Sequence, residues 1–313
     1  MRITVGGPAR FLYGASFVDR QIDWEVEYGV GQHNQRRVCK DNNDLVNSEK
    51  IALVGDSFVY GQGIPDCMDL GSLIKGKRPF VKIENLGLIG IGLREYRIII
   101  RDIVDRSYNR VYLLLYGNDI FGYPTDISVT GRLADRFSVF ALLRKIKRAH
   151  VVGNYLPEID APDPIKVEDS GSKRFSNIEY ILIQDPDYFF KSVNPPEDKL
   201  RKFNQALRVA LGELAQFVDP QHIYVAMVPE GASVSKTLRE YIEDNGGGVP
   251  EFGKPGLAYE SIRSESKKMG VKFLETFVPF LECGGECYFP HDLHWNPEGS
   301  KLMAEIILDD WAQ

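Results

Sequence analysis

The sequence predicts an α/β fold of three layers, in which a doubly wound parallel sheet lies between two layers of helices. Short apolar runs that break at glycine or polar residues are typical of buried parallel strands, and segments with helical apolar periodicity are typical of helices. The predicted strands are residues 51–54, 81–84, 111–116 and 223–228. The predicted helices are residues 93–107, 197–217, 257–269 and 298–311. Because strands and helices alternate along the chain, the strands are expected to run parallel.

Two parts of the chain fall outside this alternation. Residues 1–48 alternate loosely between apolar and polar around residues 22–30, which predicts an N-terminal arm packed on the core. Residues 49–313 form the main domain, and a stretch at about residues 122–196 interrupts it. This stretch is far longer than the usual connection of ~2–6 residues, so an inserted helical segment is predicted.

The inserted segment has three parts of different composition. Residues 135–150 have the pattern of a basic amphipathic helix, residues 157–173 are polar and contain proline, and residues 180–190 are rich in Tyr and Phe. The basic side chains form either a solvated helix face or a rim that holds an anionic substrate. The aromatic side chains either build the core of the segment or pack on a sugar.

The composition excludes several classes of function. With 43% hydrophobic and 26% charged residues in 313, the chain has the balance of a globular protein with one large core. Its net charge of −6 gives no general attraction to nucleic acid or to an anionic membrane surface. No run approaches the ~20 apolar residues of a membrane span, and no secretory signal is visible. The cysteines are too few and too irregularly spaced for a disulfide framework, so a cytoplasmic location is expected.

The motif GDSFVYGQG, residues 55–63, follows the first predicted strand and precedes a predicted helix. The small Gly55 allows a tight turn, and this turn exposes the hydroxyl of Ser57 at the carboxyl edge of the sheet, where open α/β folds bind ligands. Ser57 is therefore a candidate nucleophile. The alternative interpretation is that Ser57 only caps a helix.

Two further motifs follow predicted strands. The glycines of NLGLIGIG, residues 85–92, either let the backbone aim an N–H at a ligand or serve only as turn and packing residues. Their G-x-x-G-x-G order does not match the G-x-G-x-x-G of a dinucleotide site. In YGND, residues 116–119, the amide of Asn118 either donates to a developing oxyanion or satisfies local backbone groups.

The motif HDLHWNPEG, residues 291–299, precedes the last predicted helix, and its Asn-Pro pair is typical of a helix start. A carboxylate at Asp292 can accept the Nδ1–H of His294 and leave Nε2 facing a nucleophile. The alternatives are a structural histidine or a metal site made by His291, Asp292 and His294. No other Cys or His cluster with ligand spacing supports a metal, so neither a metal nor another cofactor is predicted.

In this order along the chain, the four motifs resemble the SGNH (GDSL-like) serine hydrolase superfamily. The resemblance covers about residues 50–122 and 220–313, and it implies a three-layer, flavodoxin-like fold. The roles that it implies are nucleophile for Ser57, base for His294, orienting acid for Asp292, and oxyanion-hole donors for the backbone N–H groups of Ser57 and Gly90 and the side chain of Asn118.

The chain departs from the commonest family pattern in the last motif. That pattern is Asp-x-x-His, but the residue three positions before His294 is His291, so Asp292 must serve from two positions away. The form D-x-H-W-N-P-x-G is similar to a variant in SGNH-like proteins of polysaccharide O-acetylation, although the motif order along the chain differs there. This similarity implies a carbohydrate ester as the substrate.

The predicted function is hydrolysis of a small acyl ester, an acetyl ester above all, through an acyl-serine intermediate. The predicted partner is a small-molecule or carbohydrate ester, and nucleic acid is not a predicted partner. Two alternatives stay open, namely a carbohydrate O-acyltransferase that uses the same triad and a non-catalytic binding protein with the same fold.

Overall fold

The structure is a computed structural model that describes residues 16–29, 36–39, 48–104, 107–121 and 176–312. All of these residues belong to one compact unit. A second unit, residues 3–7 and 124–174, lies outside the described residues. The predicted basic helix at 135–150 and the polar segment at 157–173 therefore also lie outside them.

The described strands form a hairpin and a parallel sheet. The hairpin pairs β1 (Ser16–Arg20) with β2 (Glu25–Gly29) in antiparallel fashion. The strands of the parallel sheet are β3 (Lys50–Val54), β4 (Lys82–Asn85), β5 (Arg110–Leu115), β6 (Ile223–Met227) and β7 (Lys272–Leu274). Their order in the sheet is β4-β3-β5-β6-β7. The order reverses between β3 and β5, so the carboxyl ends of these two strands flank the crevice where such folds bind ligands.

The described helices follow the strands in chain order. They are α1 (Ser57–Tyr60), α2 (Leu70–Lys77), α3 (Leu93–Val104), α4 (Gly117–Phe121), α5 (Asn177–Gln184), α6 (Tyr188–Val193), α7 (Glu197–Leu214), α8 (Gly231–Val234), α9 (Lys236–Asp244), α10 (Gly256–Lys268), α11 (Phe277–Cys283) and α12 (Pro297–Ala312). Short 3₁₀ turns lie at Pro220–His222 and Gly284–Cys287. None of the described helices has both the length and the apolar character needed to cross a bilayer.

The predicted α/β fold with a doubly wound parallel sheet is confirmed. The four predicted strands correspond to β3, β4, β5 and β6, with each end shifted by one residue at most. The four predicted helices correspond to α3, α7, α10 and α12. The sequence did not predict β7, because its three residues are too few to form a periodic pattern.

The core lies on both faces of the sheet. Every residue of β6 is buried, as expected for a parallel strand covered by helices on both sides. Helix α2 packs against α12, and α7 packs against both α3 and α10. These two groups of helices make up the outer layers.

Residues that the sequence places in the N-terminal arm and the inserted segment contribute to this unit. Residues 176–196 contain α5 and α6, and Ile178 and Phe189 are fully buried in the main core. Trp24 of the arm is buried in a smaller core together with Phe289. The division into arm, main domain and insertion stays a prediction.

The four cysteines form two disulfide bonds. Cys39 pairs with Cys67, and Cys283 pairs with Cys287, with Cα–Cα distances of 5.1 and 5.8 Å. The number and irregular spacing of the cysteines left their pairing open in the sequence, because pairing depends on distance in space. Disulfides persist in oxidising compartments, so the two pairs weigh against the predicted cytoplasmic location.

Substitution of Gly55 by alanine is expected to lower the free energy of unfolding by about 1–3 kcal/mol, the usual cost of overpacking. A Cβ on Gly55 would lie 2.3 Å from Cγ2 of Val59 and 2.8 Å from the carbonyl oxygen of Leu114. The matched control is Gly76→Ala in α2, where a Cβ would meet no atom within 4 Å. Chemical denaturation of both variants checks this, and equal stabilities would contradict it.

Candidate active site

The turn after β3 positions Ser57. Ser57 is the first residue of α1, and it is buried. The carboxyl group of Asp56 caps this helix, because its Oδ1 accepts the backbone N–H of Phe58 at 3.0 Å. The GDSF motif thus places the serine hydroxyl beyond the carboxyl end of a central strand.

The side chains of Ser57, His294 and Asp292 form a continuous hydrogen-bonded line. The Nε2 of His294 lies 2.8 Å from the Oγ of Ser57, and its Nδ1 lies 2.5 Å from Oδ1 of Asp292. A carboxylate only accepts hydrogen bonds, so Nδ1 carries the proton and Nε2 accepts the serine hydroxyl. In this tautomer the imidazole can remove the proton of the serine.

Asp292 is held in its ionised form. Burial acts to raise its pKa, but the charge of His294 and the hydrogen bonds from His294 and Asn177 outweigh burial, so the pKa lies below its usual value. One of these bonds comes from the backbone N–H of His294, at 2.9 Å. Asn177 begins α5. A carboxylate in this position can stabilise a positive charge that develops on His294.

The loop that carries Asp292 and His294 is fixed from two sides. The amide nitrogen of Asn296 donates to two backbone carbonyls at 2.8 and 3.1 Å, and its Oδ1 accepts two N–H groups at the start of α12 at 2.9 and 3.2 Å. The ring of Phe58, from α1, lies 4.9 Å from the ring of His294 and 5.2 Å from that of Trp295 between centroids. The helix that begins at Ser57 therefore supports His294 by direct packing.

Asn118 lies in the first turn of α4, after the end of β5. Its Nδ2 donates to Oδ2 of Asp56, the residue that precedes Ser57, at 3.1 Å. An amide nitrogen carries two N–H groups, so this bond orients the amide and leaves one N–H for a ligand. The structure thus joins the first and third motifs through their side chains.

Gly90 lies on the loop between β4 and α3. Its φ of +73° is in the left-handed region, which favours glycine. A Cβ there would meet no atom within 4 Å, so backbone conformation rather than crowding requires glycine at this position. The role of Gly90 as an oxyanion-hole donor stays a prediction.

Asn85 links the second motif to the first, and sequence reasoning missed this role. Its buried Nδ2 donates to the carbonyl of Val59 at 2.7 Å, and its Oδ1 accepts the N–H of Gly87 at 3.0 Å. The N–H of Leu88 also donates to the carbonyl of Gly55, at 3.2 Å. The signal in the sequence was the Asn at the strand end, directly before the glycines.

His291 bonds to the N-terminal arm rather than joining a metal site. Its Nδ1 lies 2.8 Å from Oδ1 of Asp23. Among the residues that the structure describes, no group of three or more His, Cys, Asp or Glu side chains is arranged to hold a metal ion. The metal interpretation of the HDLH motif therefore finds no support in the described part of the chain.

A buried carboxyl group, Glu230, lies near the same edge of the sheet after β6. It accepts hydrogen bonds from the hydroxyls of Tyr116 and Ser192, at 2.5 and 2.9 Å. Burial raises its pKa to about 7 in spite of these bonds. Glu230 therefore holds Tyr116, whose ring lies 4.5 Å from the ring of Phe58, and Phe58 in turn packs on His294. Sequence reasoning missed Glu230, because no motif surrounds it.

The chain is similar to known proteins in structure only. No protein-family model matches the chain, and no curated protein matches it. Among solved structures, it is similar to a member of the lipolytic GDSL family from Veillonella parvula, with a TM-score of 0.48, 12% identity, and 85% of this chain and 100% of that chain covered.

Two other similar structures are enzymes by their description. One is phospholipase A1 from Streptomyces albidoflavus, with a TM-score of 0.46, 11% identity and coverage of 84% of this chain and 99% of that one. The other is a carbohydrate esterase family 2 enzyme with a carbohydrate binding domain, from Corynascus thermopiles (Myceliophthora fergusii). Its TM-score is 0.43 at 11% identity, and the match covers 84% of this chain and 65% of that chain. At these scores and identities, neither establishes an activity or a substrate for this chain.

Replacement of Glu230 by glutamine is expected to remove a pH dependence of stability. The folded-state pKa of Glu230, about 7, lies above its ordinary value of 4.5, so the stability that it contributes is complete below the ordinary value and is lost as the pH rises through 7. Between about pH 5 and about pH 8, the wild type should therefore lose about 2–3 kcal/mol relative to Glu230→Gln.

Urea unfolding at several pH values measures this difference. The exposed Glu240, on α9, provides the matched control through Glu240→Gln. Parallel stability curves for wild type and Glu230→Gln across this range would show that Glu230 does not titrate as described.

Proposed function

We propose that the chain is a serine esterase of the SGNH type, which hydrolyses a small acyl ester through an acyl-serine intermediate on Ser57. The observation that carries the proposal is the hydrogen bond of 2.8 Å between Nε2 of His294 and Oγ of Ser57, with Asp292 bonded to the other ring nitrogen. A serine hydroxyl alone is a poor nucleophile and needs such a base. The four SGNH-like motifs support the same assignment.

In the proposed reaction, Nε2 of His294 removes the hydroxyl proton of Ser57 while Oγ attacks the carbonyl carbon of the ester. The tetrahedral intermediate collapses, the C–O bond to the alcohol breaks, and His294 returns its proton to the leaving alcohol. Water then attacks the acyl-serine with His294 as base. The carboxylic acid leaves, and Ser57 regains its proton.

The oxyanion hole is proposed to consist of the backbone N–H groups of Ser57 and Gly90 and the remaining amide N–H of Asn118. The bond from Asn118 to Asp56 supports this role, because it orients the amide before the substrate arrives. The loss of one such donor typically raises the barrier by roughly 3–4 kcal/mol.

The proposed substrate class is an acetyl ester, on a carbohydrate in particular. Support comes from residues 292–297, DLHWNP, which are similar to the variant motif of polysaccharide O-acetylation proteins. A net charge of −6 does not favour a nucleic-acid partner. The proposed partner is therefore the small-molecule or carbohydrate ester itself.

A fluorophosphonate probe is expected to label the wild type at Ser57 and to leave Ser57→Ala unlabelled. In Asp292→Asn, labelling should slow by roughly 10³-fold or more, because the amide no longer fixes the productive tautomer of His294. Ser264→Ala, which removes an exposed serine of α10, should label as the wild type does. Peptide mass spectrometry of the labelled chain gives both site and rate.

A folded wild type that takes no label would favour the non-catalytic binding protein instead. A labelled enzyme can still transfer its acyl group to a sugar. Acetate released from p-nitrophenyl acetate is therefore measured with and without an oligosaccharide, and acetylation of the oligosaccharide faster than release of acetate would make the protein an acyltransferase.

A further inference from the structure

The hairpin turn between β1 and β2 contacts the loop that carries the proposed base. We infer that two residues of this turn, Asp23 and Trp24, position His294 for its reaction with Ser57; this inference rests on the proposed function. The two residues are called the clasp below, and residues 289–295 are called the histidine loop. The turn lies outside the part of the chain that the SGNH resemblance covers.

Asp23 holds the start of the HDLH motif at two points. Its Oδ1 lies 2.8 Å from Nδ1 of His291, and its Oδ2 accepts the backbone N–H of His291 at 3.0 Å. The Asp23 side chain is only 5% exposed, so water competes little for these bonds. Because Asp292 follows His291 directly, the bond to the backbone fixes where the chain enters the triad.

Trp24 packs on the other end of the histidine loop and on the imidazole. Its ring centroid lies 4.6 Å from that of Phe289, and it meets the ring of His294 edge-on, at 6.5 Å and 83°. The N–H of Phe289 donates to the carbonyl of His294 at 3.1 Å. Trp24 therefore restrains both the ring of His294 and the backbone that carries it.

The N-terminal arm also forms hydrogen bonds with the residues that follow Ser57. The hydroxyl of Tyr28, on β2, accepts the N–H of Gly63 at 2.6 Å. The fully buried guanidinium of Arg36 donates to the carbonyls of Gly61 and Ile64, at 3.1 and 2.7 Å. The arm thus contacts both segments whose approach creates the bond between His294 and Ser57.

The clasp is inferred to position His294 and to take no direct part in the reaction. Asp23 and Trp24 act through their contacts with the histidine loop and the ring of His294, so they are positioning residues. A misplacement of a catalytic group by about 1 Å costs up to ~100-fold in rate. Because His294 acts in both acylation and deacylation, loss of the clasp should therefore slow both steps and leave the binding of a small ester nearly unchanged.

The test compares Asp23→Ala, Asp23→Asn and Ile22→Ala in the full chain. Ile22 lies in the same turn and is 45% exposed, which makes it a matched control. In Asp23→Ala, fluorophosphonate labelling and kcat for p-nitrophenyl acetate should fall about tenfold or more, with KM changed less than about twofold. Asp23→Asn still accepts the His291 N–H, so it should recover most of the rate. Ile22→Ala should match the wild type.

A second variant tests the clasp independently of Asp23→Ala. Trp24→Leu retains apolar bulk beside Phe289 but removes the aromatic edge beside His294, and it should show the same fall in kcat at constant KM. Wild-type rates in both Asp23→Ala and Trp24→Leu would overturn the clasp. An equal loss of rate in Asp23→Asn and Asp23→Ala would also overturn the clasp. Absence of labelling in the wild type would instead overturn the proposed function.

Discussion

The hydrogen bond between Nε2 of His294 and Oγ of Ser57 joins two segments that are 237 residues apart in the sequence. Polar contacts on both sides of the site hold these two segments in place. On the serine side, Asp56 caps α1 and holds the amide of Asn118. On the histidine side, Asn296 bonds to backbone groups on both sides of the loop. The ring of Phe58 spans the two sides, since it belongs to α1 and packs on His294.

The pKa values of the buried carboxyl groups near this bond are shifted in different directions for a physical reason. Burial raises the pKa of Asp56, Asp119 and Glu230, because their hydrogen bonds compensate for only part of the lost hydration, and the charge of Asp56 raises the pKa of Asp119 further. Asp292 is also buried, but it faces the titratable ring of His294, and its pKa is lowered. The ionised form of Asp292 is therefore favoured where it can stabilise a protonated imidazole, as the proposed mechanism requires.

The sequence predicted the features that local patterns encode. Apolar runs gave β3 to β6, and the turn chemistry of the GDSF and HDLH motifs gave the residues that lie together in the site. Contacts between distant segments could not be predicted in this way. Asp23 meets His291 across 268 positions, and Cys39 meets Cys67 only because the arm returns to the loop after α1. Glu230 follows an ordinary strand, and only its burial distinguishes it.

The most direct test of the central claim is to capture the acyl group during turnover. The wild type is mixed with p-nitrophenyl acetate, quenched with acid within the first turnovers, digested, and analysed by mass spectrometry. The proposed mechanism predicts an added acetyl mass on the peptide that contains Ser57, at a level that decays when the ester is consumed. Continued release of p-nitrophenol with no acetyl group on Ser57, or with the acetyl group on a different residue, would contradict the claim that Ser57 and His294 form the reacting pair.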